Sequence, residues 1–347
     1  MEDTYAERLR GFFNAGCATT AIALAKDVGI LKILLEADVP LTSYEISTCG
    51  SLKERYCREI LGALVTADVI EVDSTSRKYF VPVSNRKSLA GAAISNRLMP
   101  YFGEKYAAIK DCFREEGPAG VRYAAFPVAF DIMRELRVFH QDTLLEEFVL
   151  DVVPGLPKRL DQGIMAAELG CGYGILASNL AQRYPATTFI ASDVVDELLE
   201  TARQAASVKG LTNLYFERQD IYDLPDTYMN KFDWILVRDV IHDLPHPDRA
   251  LRAIYRSLKP GGELSLLEKG VTGTLSENVG NMGVCSLYTL STFSCVPESF
   301  QHPDSAALGA AWNVCQAMEM IERAGFTLVK EFHNEKNKQD VHYICRK

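Results

Sequence analysis

The stretch Ile164-Met165-Ala166-Ala167-Glu168-Leu169-Gly170-Cys171-Gly172-Tyr173-Gly174 decides how the second half of the chain folds. An apolar run of strand length enters three glycines at alternate positions, and Ile175 to Tyr184 follows with the spacing of an amphipathic helix. Glycine at such a turn adopts backbone angles that a Cβ forbids and lets the main chain come into contact with a ligand. From Gly163 onward, short apolar strands alternate with amphipathic helices. That pattern predicts a doubly wound α/β domain with a mostly parallel sheet covered on both faces.

Downstream of the glycine turn, the strand Thr188 to Ser192 ends in Asp193. An acidic side chain about twenty residues after the glycines can accept both hydroxyls of a ribose. A third strand, Leu214 to Arg218, runs into Gln219-Asp220-Ile221-Tyr222, where a carboxylate can take the amino group of adenine and an apolar neighbour can cover the ring. The fourth, Phe232 to Val237, runs into Arg238-Asp239-Val240-Ile241-His242-Asp243. These polar clusters fall at the carboxyl ends of parallel strands, where open α/β sheets bind ligands. A dinucleotide fingerprint would place its third glycine where this chain has Ile175, which disfavours a nicotinamide-dependent oxidoreductase.

Upstream, apolar residues recur at helical spacing from Tyr5 to Leu35, and Gly29 and Pro40 punctuate two helices. Thr42, with Glu45 three residues on, has the form of a capping box, and Ser51 is expected to cap the next helix, Leu52 to Ala67. Val69 to Asp73 and Lys78 to Pro82, joined by Ser74-Thr75-Ser76-Arg77, read as a hairpin. Helix, turn, helix and wing give a winged-helix-like domain over 1–87, a helical connecting region over 88–160, and the catalytic domain over 161–347.

The 347 residues carry a net charge of −9, which repels polyanions and counts against nucleic acid and anionic membranes as partners. The N-terminus MEDTYAERLR lacks the basic and apolar regions of a leader, and the apolar stretch Ala21 to Ala25 is too short to span a bilayer. A soluble, cytoplasmic protein is expected. Nine cysteines include no Cys-x-x-Cys pair, and prolines interrupt the spacing of His242 and His246, so no metal site and no disulfide framework are expected.

The ordered series Glu168 to Gly174, Asp193, Asp220-Ile221 and Leu258-Lys259-Pro260-Gly261-Gly262 resembles the motifs of class I S-adenosylmethionine-dependent methyltransferases, whose sheet is Rossmann-like. The resemblance implies that Gly170, Gly172 and Gly174 line the methionine and ribose portions of the cofactor. It implies further that Asp193 holds the ribose, that Asp220 and Ile221 frame the adenine, and that Glu168 lies near the cationic end. S-adenosylhomocysteine would be the product. Lys53 to Leu61, the wing strand Lys78 to Pro82 and the tail Leu308-Gly309-Ala310-Ala311-Trp312 look like a group of methyltransferases with a winged-helix domain. In such proteins that domain commonly dimerises, so a homodimer acting on a small-molecule acceptor is expected.

His242-Asp243 is similar to the His-Asp pair of plant-type small-molecule O-methyltransferases, in which the histidine deprotonates the acceptor hydroxyl. An imidazole suits that task because an unassisted phenol, with a pKa near ~10, is barely ionised at neutral pH. Against this stands the reading that His242 only caps the strand end or packs beside the cofactor. Asp239 either touches the cofactor's amino group or caps the helix beginning near Pro247. His246 reads as an exposed loop residue. Tyr288 and Phe293, in the aromatic and hydroxyl-rich segment after the fifth strand, are candidate acceptor contacts. The family pattern carries His-Cys where this chain has Ser294-Cys295. The expected reaction is in-line methyl transfer to O, N or S without a metal. Holding donor and acceptor collinear can contribute about 7–11 kcal/mol to the rate. The rival reading is a cofactor-sensing transcriptional regulator, with Lys53, Arg55 and Arg58 on its recognition helix.

Overall fold

The computed structural model describes residues 4–302, 304–335 and 337–347. The chain divides into two compact units, one running to Tyr106 and including Phe126–Phe139, the other comprising Ala107–Ala125 and His140–Lys347. The segment 88–160, read from sequence as one connector, is therefore shared between them.

The first unit opens with helices α1 (Tyr5–Asp27) and α2 (Ile30–Glu36), separated by Gly29 in the left-handed region. Strand β1 (Leu41–Thr42) leads into α3 (Ser43–Gly50), whose Thr42 and Glu45 form the expected capping box. Ser51 does not cap the next helix. It adopts a left-handed conformation at the end of α3, and α4 (Glu54–Thr66) starts without a side-chain cap. The wing is short, β2 (Glu71–Val72) against β3 (Lys78–Phe80), and β1 pairs with β3 as a third strand that two residues of sequence could not announce. Cys57, Leu61 and Leu64 turn one face of α4 into a core with Leu31, Leu34 and Ile46. Helix α5 (Val83–Asn96) follows, as do α6 (Leu98–Cys112) up to Tyr106 and α7 (Val128–Thr143) up to Phe139, the remaining residues of both belonging to the second unit.

The second unit is built on a seven-stranded sheet. It contains α8 (Leu156–Gln162), β4 (Met165–Leu169), α9 (Ile175–Arg183), β5 (Thr188–Asp193), α10 (Asp196–Val208), β6 (Leu214–Arg218), β7 (Phe232–Arg238), α11 (Pro247–Ser257) and β8 (Leu258–Lys269). Helices α12 (Met282–Leu290), α13 (Val296–Ser299) and α14 (Val314–Arg323) precede β9 (Thr327–His333) and β10 (Asp340–Arg346). The strand order is β6-β5-β4-β7-β8-β10-β9, parallel from β6 to β8, with β10 antiparallel to both β8 and β9. The chain leaves β4 toward β5 and β6 and later returns to its other side with β7, so the order reverses at β4.

Alternate residues of each strand go to opposite faces. Ile235 and Val237 pack with α11 and α14, while Trp234 and Leu236 pack with α8 and α9. The buried Trp234 indole donates to Ser265 Oγ on β8 at 2.9 Å. Lys259-Pro260-Gly261-Gly262 lies within β8, where the pairing with β7 shifts register.

The turn after β4 depends on glycine. Gly170 has φ +73°, and a Cβ there would lie 2.5 Å from Val240 Cγ2. Gly170→Ala is expected to lose about 1–3 kcal/mol of stability through backbone strain and overpacking. Urea unfolding checks this, and an unchanged midpoint would contradict the turn geometry.

Candidate functional site

The carboxyl ends of β4, β5, β6 and β7 surround the point where strand order reverses, and the residues predicted to hold the cofactor follow those ends in the chain. Gly170, Gly172 and Gly174 all have positive φ, and the amides of Gly170 and Cys171 both donate to the Ser192 carbonyl at the end of β5. Asp193 accepts from Gly172 N at 2.8 Å and Val195 N at 3.1 Å, one bond on each carboxylate oxygen. Each oxygen keeps a lone pair for a hydroxyl donor. Asp220, exposed at the end of β6, folds its carboxylate back onto Tyr222 N at 2.9 Å, beside the buried Ile221. Glu168 is buried and accepts from Ala177 N at 2.9 Å in the first turn of α9.

Asp239 does not cap a helix. Its backbone is left-handed at φ 52°, its amide donates to the Leu267 carbonyl, and the N-cap of α11 is instead His246, whose side chain makes no capping bond. His246 is half-buried, with Nε2 3.6 Å from Asp304. Tyr288 is exposed and Phe293 half-buried on the α12 segment.

His242 lies in a short 3-10 turn, Ile241–Asp243, that follows β7, and it is buried. Glu268, near the end of β8 and also buried, is the residue the sequence did not single out. One of its oxygens accepts the amides of Val240 at 3.1 Å and Ile241 at 2.7 Å, and the other meets His242 Nδ1. A lone carboxylate after Leu264-Ser265-Leu266-Leu267 was the available signal. On the opposite side of the ring, Nε2 lies 3.3 Å from Asp243 Oδ1. Tyr123, brought in from a loop of the same unit, donates its hydroxyl to Asp243 Oδ2 at 3.1 Å. The buried Cys295 thiol completes the group, and its Sγ, a ring nitrogen of His242 and a carboxylate oxygen of Asp243 all lie within 4.8 Å of one another.

Burial alone would depress the imidazole, but Asp243 and then Glu268 outweigh it and hold His242 well above its ordinary value. Burial, reinforced by Asp243, raises the Tyr123 phenol. His342 provides the contrast in the same unit. Burial pushes it down to about 4, with its Nδ1 2.7 Å from the Phe148 carbonyl.

Known protein families match both parts of the chain. Residues 160–293 match the family described as "Methyltransferase domain", and residues 16–90 match the "Rv2258c-like winged HTH domain". The chain carries a methyltransferase domain of class I fold behind an N-terminal winged-helix domain. This methyltransferase is 26% identical over 213 residues to a ubiquinone/menaquinone biosynthesis C-methyltransferase of Idiomarina loihiensis, a match covering 58% of this chain and 79% of that one. It is 30% identical over 115 residues to a ubiquinone biosynthesis O-methyltransferase of Neisseria meningitidis, covering 30% of this chain and only about half, 48%, of that relative. Its fold is similar to that of human N-acetylserotonin methyltransferase in complex with SAM, at 18% identity and TM-score 0.71, covering 100% and 99% of the two chains. It is also similar to the mitomycin 7-O-methyltransferase MmcR, at 15% identity and TM-score 0.73, covering 99% and 98%.

The charge balance at His242 is directly measurable. In NMR titration of labelled imidazoles, His242 is expected to keep its proton above the ordinary histidine range and His342 to stay neutral through mild acid. Glu268→Gln removes a negative neighbour, so the His242 titration should move to lower pH; a position unchanged by Glu268→Gln would refute the assignment of cause.

Proposed function

We propose that the methyltransferase moves its methyl group to an oxygen atom of a small acceptor, with His242 as the base that removes the acceptor's proton. The observation that carries this reading is the buried imidazole held by Glu268 at the end of β8. A carboxylate on Nδ1 fixes the ring and strengthens the basicity of Nε2, the nitrogen on the other side. Asp243 turns the ring's second edge toward an anionic group, and Tyr123 holds Asp243 in place. Neutral amines need little help from a base, whereas a hydroxyl needs it, and this favours oxygen.

The residues around the β4 turn suit the donor. Gly170, Gly172 and Gly174 keep its methionine and ribose side free of Cβ atoms, Asp193 accepts the ribose hydroxyls, and Asp220 with Ile221 takes the adenine. Glu168 and Asp239 supply negative charge toward the ammonium and sulfonium. When bound, S-adenosylmethionine supplies the electrophilic methyl group and a positive charge that favours the neutral form of His242. Tyr288 and Phe293 contribute to the acceptor's enclosure.

The regulator reading has less support. On α4, Arg55 pairs with Glu59, and Arg58 lies 3.6 Å from Glu54, so two of its cations face carboxylates of their own helix. The N-terminal unit serves better as a dimerisation element. Tyr5, Phe12 and Phe13 are exposed in the first half of α1, where a second copy would cover them. All nine cysteines are free thiols. Among the described residues no helix is long and apolar enough to cross a membrane.

Calorimetry with S-adenosylhomocysteine tests the donor site: Asp193→Ala should weaken binding by about 1.5–3 kcal/mol, the worth of hydrogen bonds to a charged group. Unchanged affinity would remove Asp193 from it. With a hydroxyl acceptor found by screening labelled methyl transfer, His242→Ala should lower turnover by about 10²–10⁴. The rate should rise with pH as His242 loses its proton, through a midpoint above ordinary histidine. Asp243→Asn removes a charge that favours the protonated form, so the rising limb should move to lower pH. A profile flat through this range would exclude His242 as base.

A further inference from the structure

Sequence spacing argued against a metal, because neither a cysteine pair nor an uninterrupted His-x-x-x-His helix is present. The fold alters that conclusion by bringing Cys295 against His242 and Asp243. Three donors of different kinds, an imidazole nitrogen, a carboxylate oxygen and a sulfur, converge within 4.8 Å. We propose that His242 Nε2, Asp243 Oδ1 and Cys295 Sγ bind a single zinc-like divalent ion, and that its binding switches methyl transfer off.

The geometry fits such an ion. In a tetrahedral site with metal–nitrogen and metal–oxygen bonds of about 2.0–2.1 Å, neighbouring donors stand roughly 3.3 Å apart. His242 Nε2 and Asp243 Oδ1 are 3.3 Å apart. Asp243 Oδ1 is buried and, among the described residues, has no hydrogen-bond partner despite lying at that distance from the ring. A buried carboxylate oxygen is costly unless a cation meets it, and a metal ion can take that place when the imidazole is neutral.

The surroundings fit as well. Metal-bound histidines donate their other ring N–H to a carboxylate, which fixes the ring and its tautomer. Glu268 occupies that position on Nδ1 and is itself held by two backbone amides. Cys295 closes a π-helical turn, Ser291–Cys295, inserted between α12 and α13. Such turns interrupt helices most often at functional sites, and this one sets the register that brings the thiol to His242. Imidazole with thiolate selects zinc, or cobalt in its place, over magnesium and calcium, which prefer oxygen.

The inhibitory consequence rests on the reading of His242 as base. A metal bond to Nε2 uses the lone pair that would take the acceptor's proton, so one nitrogen serves either the ion or the reaction.

Full-length protein freed of metal with a chelator and kept reduced is titrated with Co²⁺. The expected result is a thiolate-to-cobalt charge-transfer absorption that saturates at one ion per chain and is displaced by Zn²⁺. Cys295→Ser should abolish the band, Cys285→Ser, at an exposed thiol outside the cluster, should retain it, and Glu268→Gln should weaken metal affinity about 10–100-fold. Absence of the band in the folded wild-type protein, or its persistence in Cys295→Ser, would overturn the site. S-adenosylhomocysteine binding, measured on the same metal-free sample, tests the methyltransferase site independently. Zinc should leave that binding intact while suppressing transfer to a hydroxyl acceptor; full-rate transfer by the zinc-loaded protein would overturn the switch.

Discussion

A parallel sheet leaves no face for water, and that constraint organises the second unit. Each strand must satisfy two apolar layers at once, as Trp234 and Leu236 do on one side of β7 and Ile235 and Val237 on the other. Polar side chains are then pushed to strand ends, where burial is incomplete. Because strand order reverses at β4, the carboxyl ends of β4 and β7 have no crossover helix between them, and the glycine turn opens into that gap. The candidate cofactor site is a consequence of winding the sheet in two directions from one central strand.

Charge balance at His242 is the second constraint. A buried histidine ordinarily loses its proton easily, as His342 does. Two carboxylates reverse that preference for His242, and the same two acids give the ring different tasks on its two edges. Glu268 fixes orientation through Nδ1, and Asp243 defines what Nε2 faces. A ring poised in this way binds a proton strongly when no cationic ligand is near. Whatever positive charge enters the site competes with that proton, which links the methyl donor and the proposed metal ion to one imidazole.

Local side-chain patterns carry much of the first unit. Thr42 and Glu45 cap α3 by a contact three residues apart, and Leu61 and Leu64 face the core because helical spacing puts them on one side of α4. The third strand of the small sheet escapes such reading. Leu41 and Thr42 form a strand because β3 offers them hydrogen-bond partners, and a two-residue segment has no periodicity of its own.

The sequence by itself determined the alternation of strands and helices from β4 onward, the three glycines of the turn, and the acidic residues at the ends of β5 and β6. These are local properties, set by side-chain period and by backbone angles that only glycine adopts easily. It also supplied His242-Asp243 as neighbours in the chain. Only the tertiary structure decided what those two residues do, because Glu268 arrives from an adjacent strand, Tyr123 from a distant loop and Cys295 from a π-helical turn. Contacts between residues so far apart leave no spacing to read. They arise where the sheet, the turn after β7 and the α12 segment pack, and packing determines which side chains share the space around one imidazole.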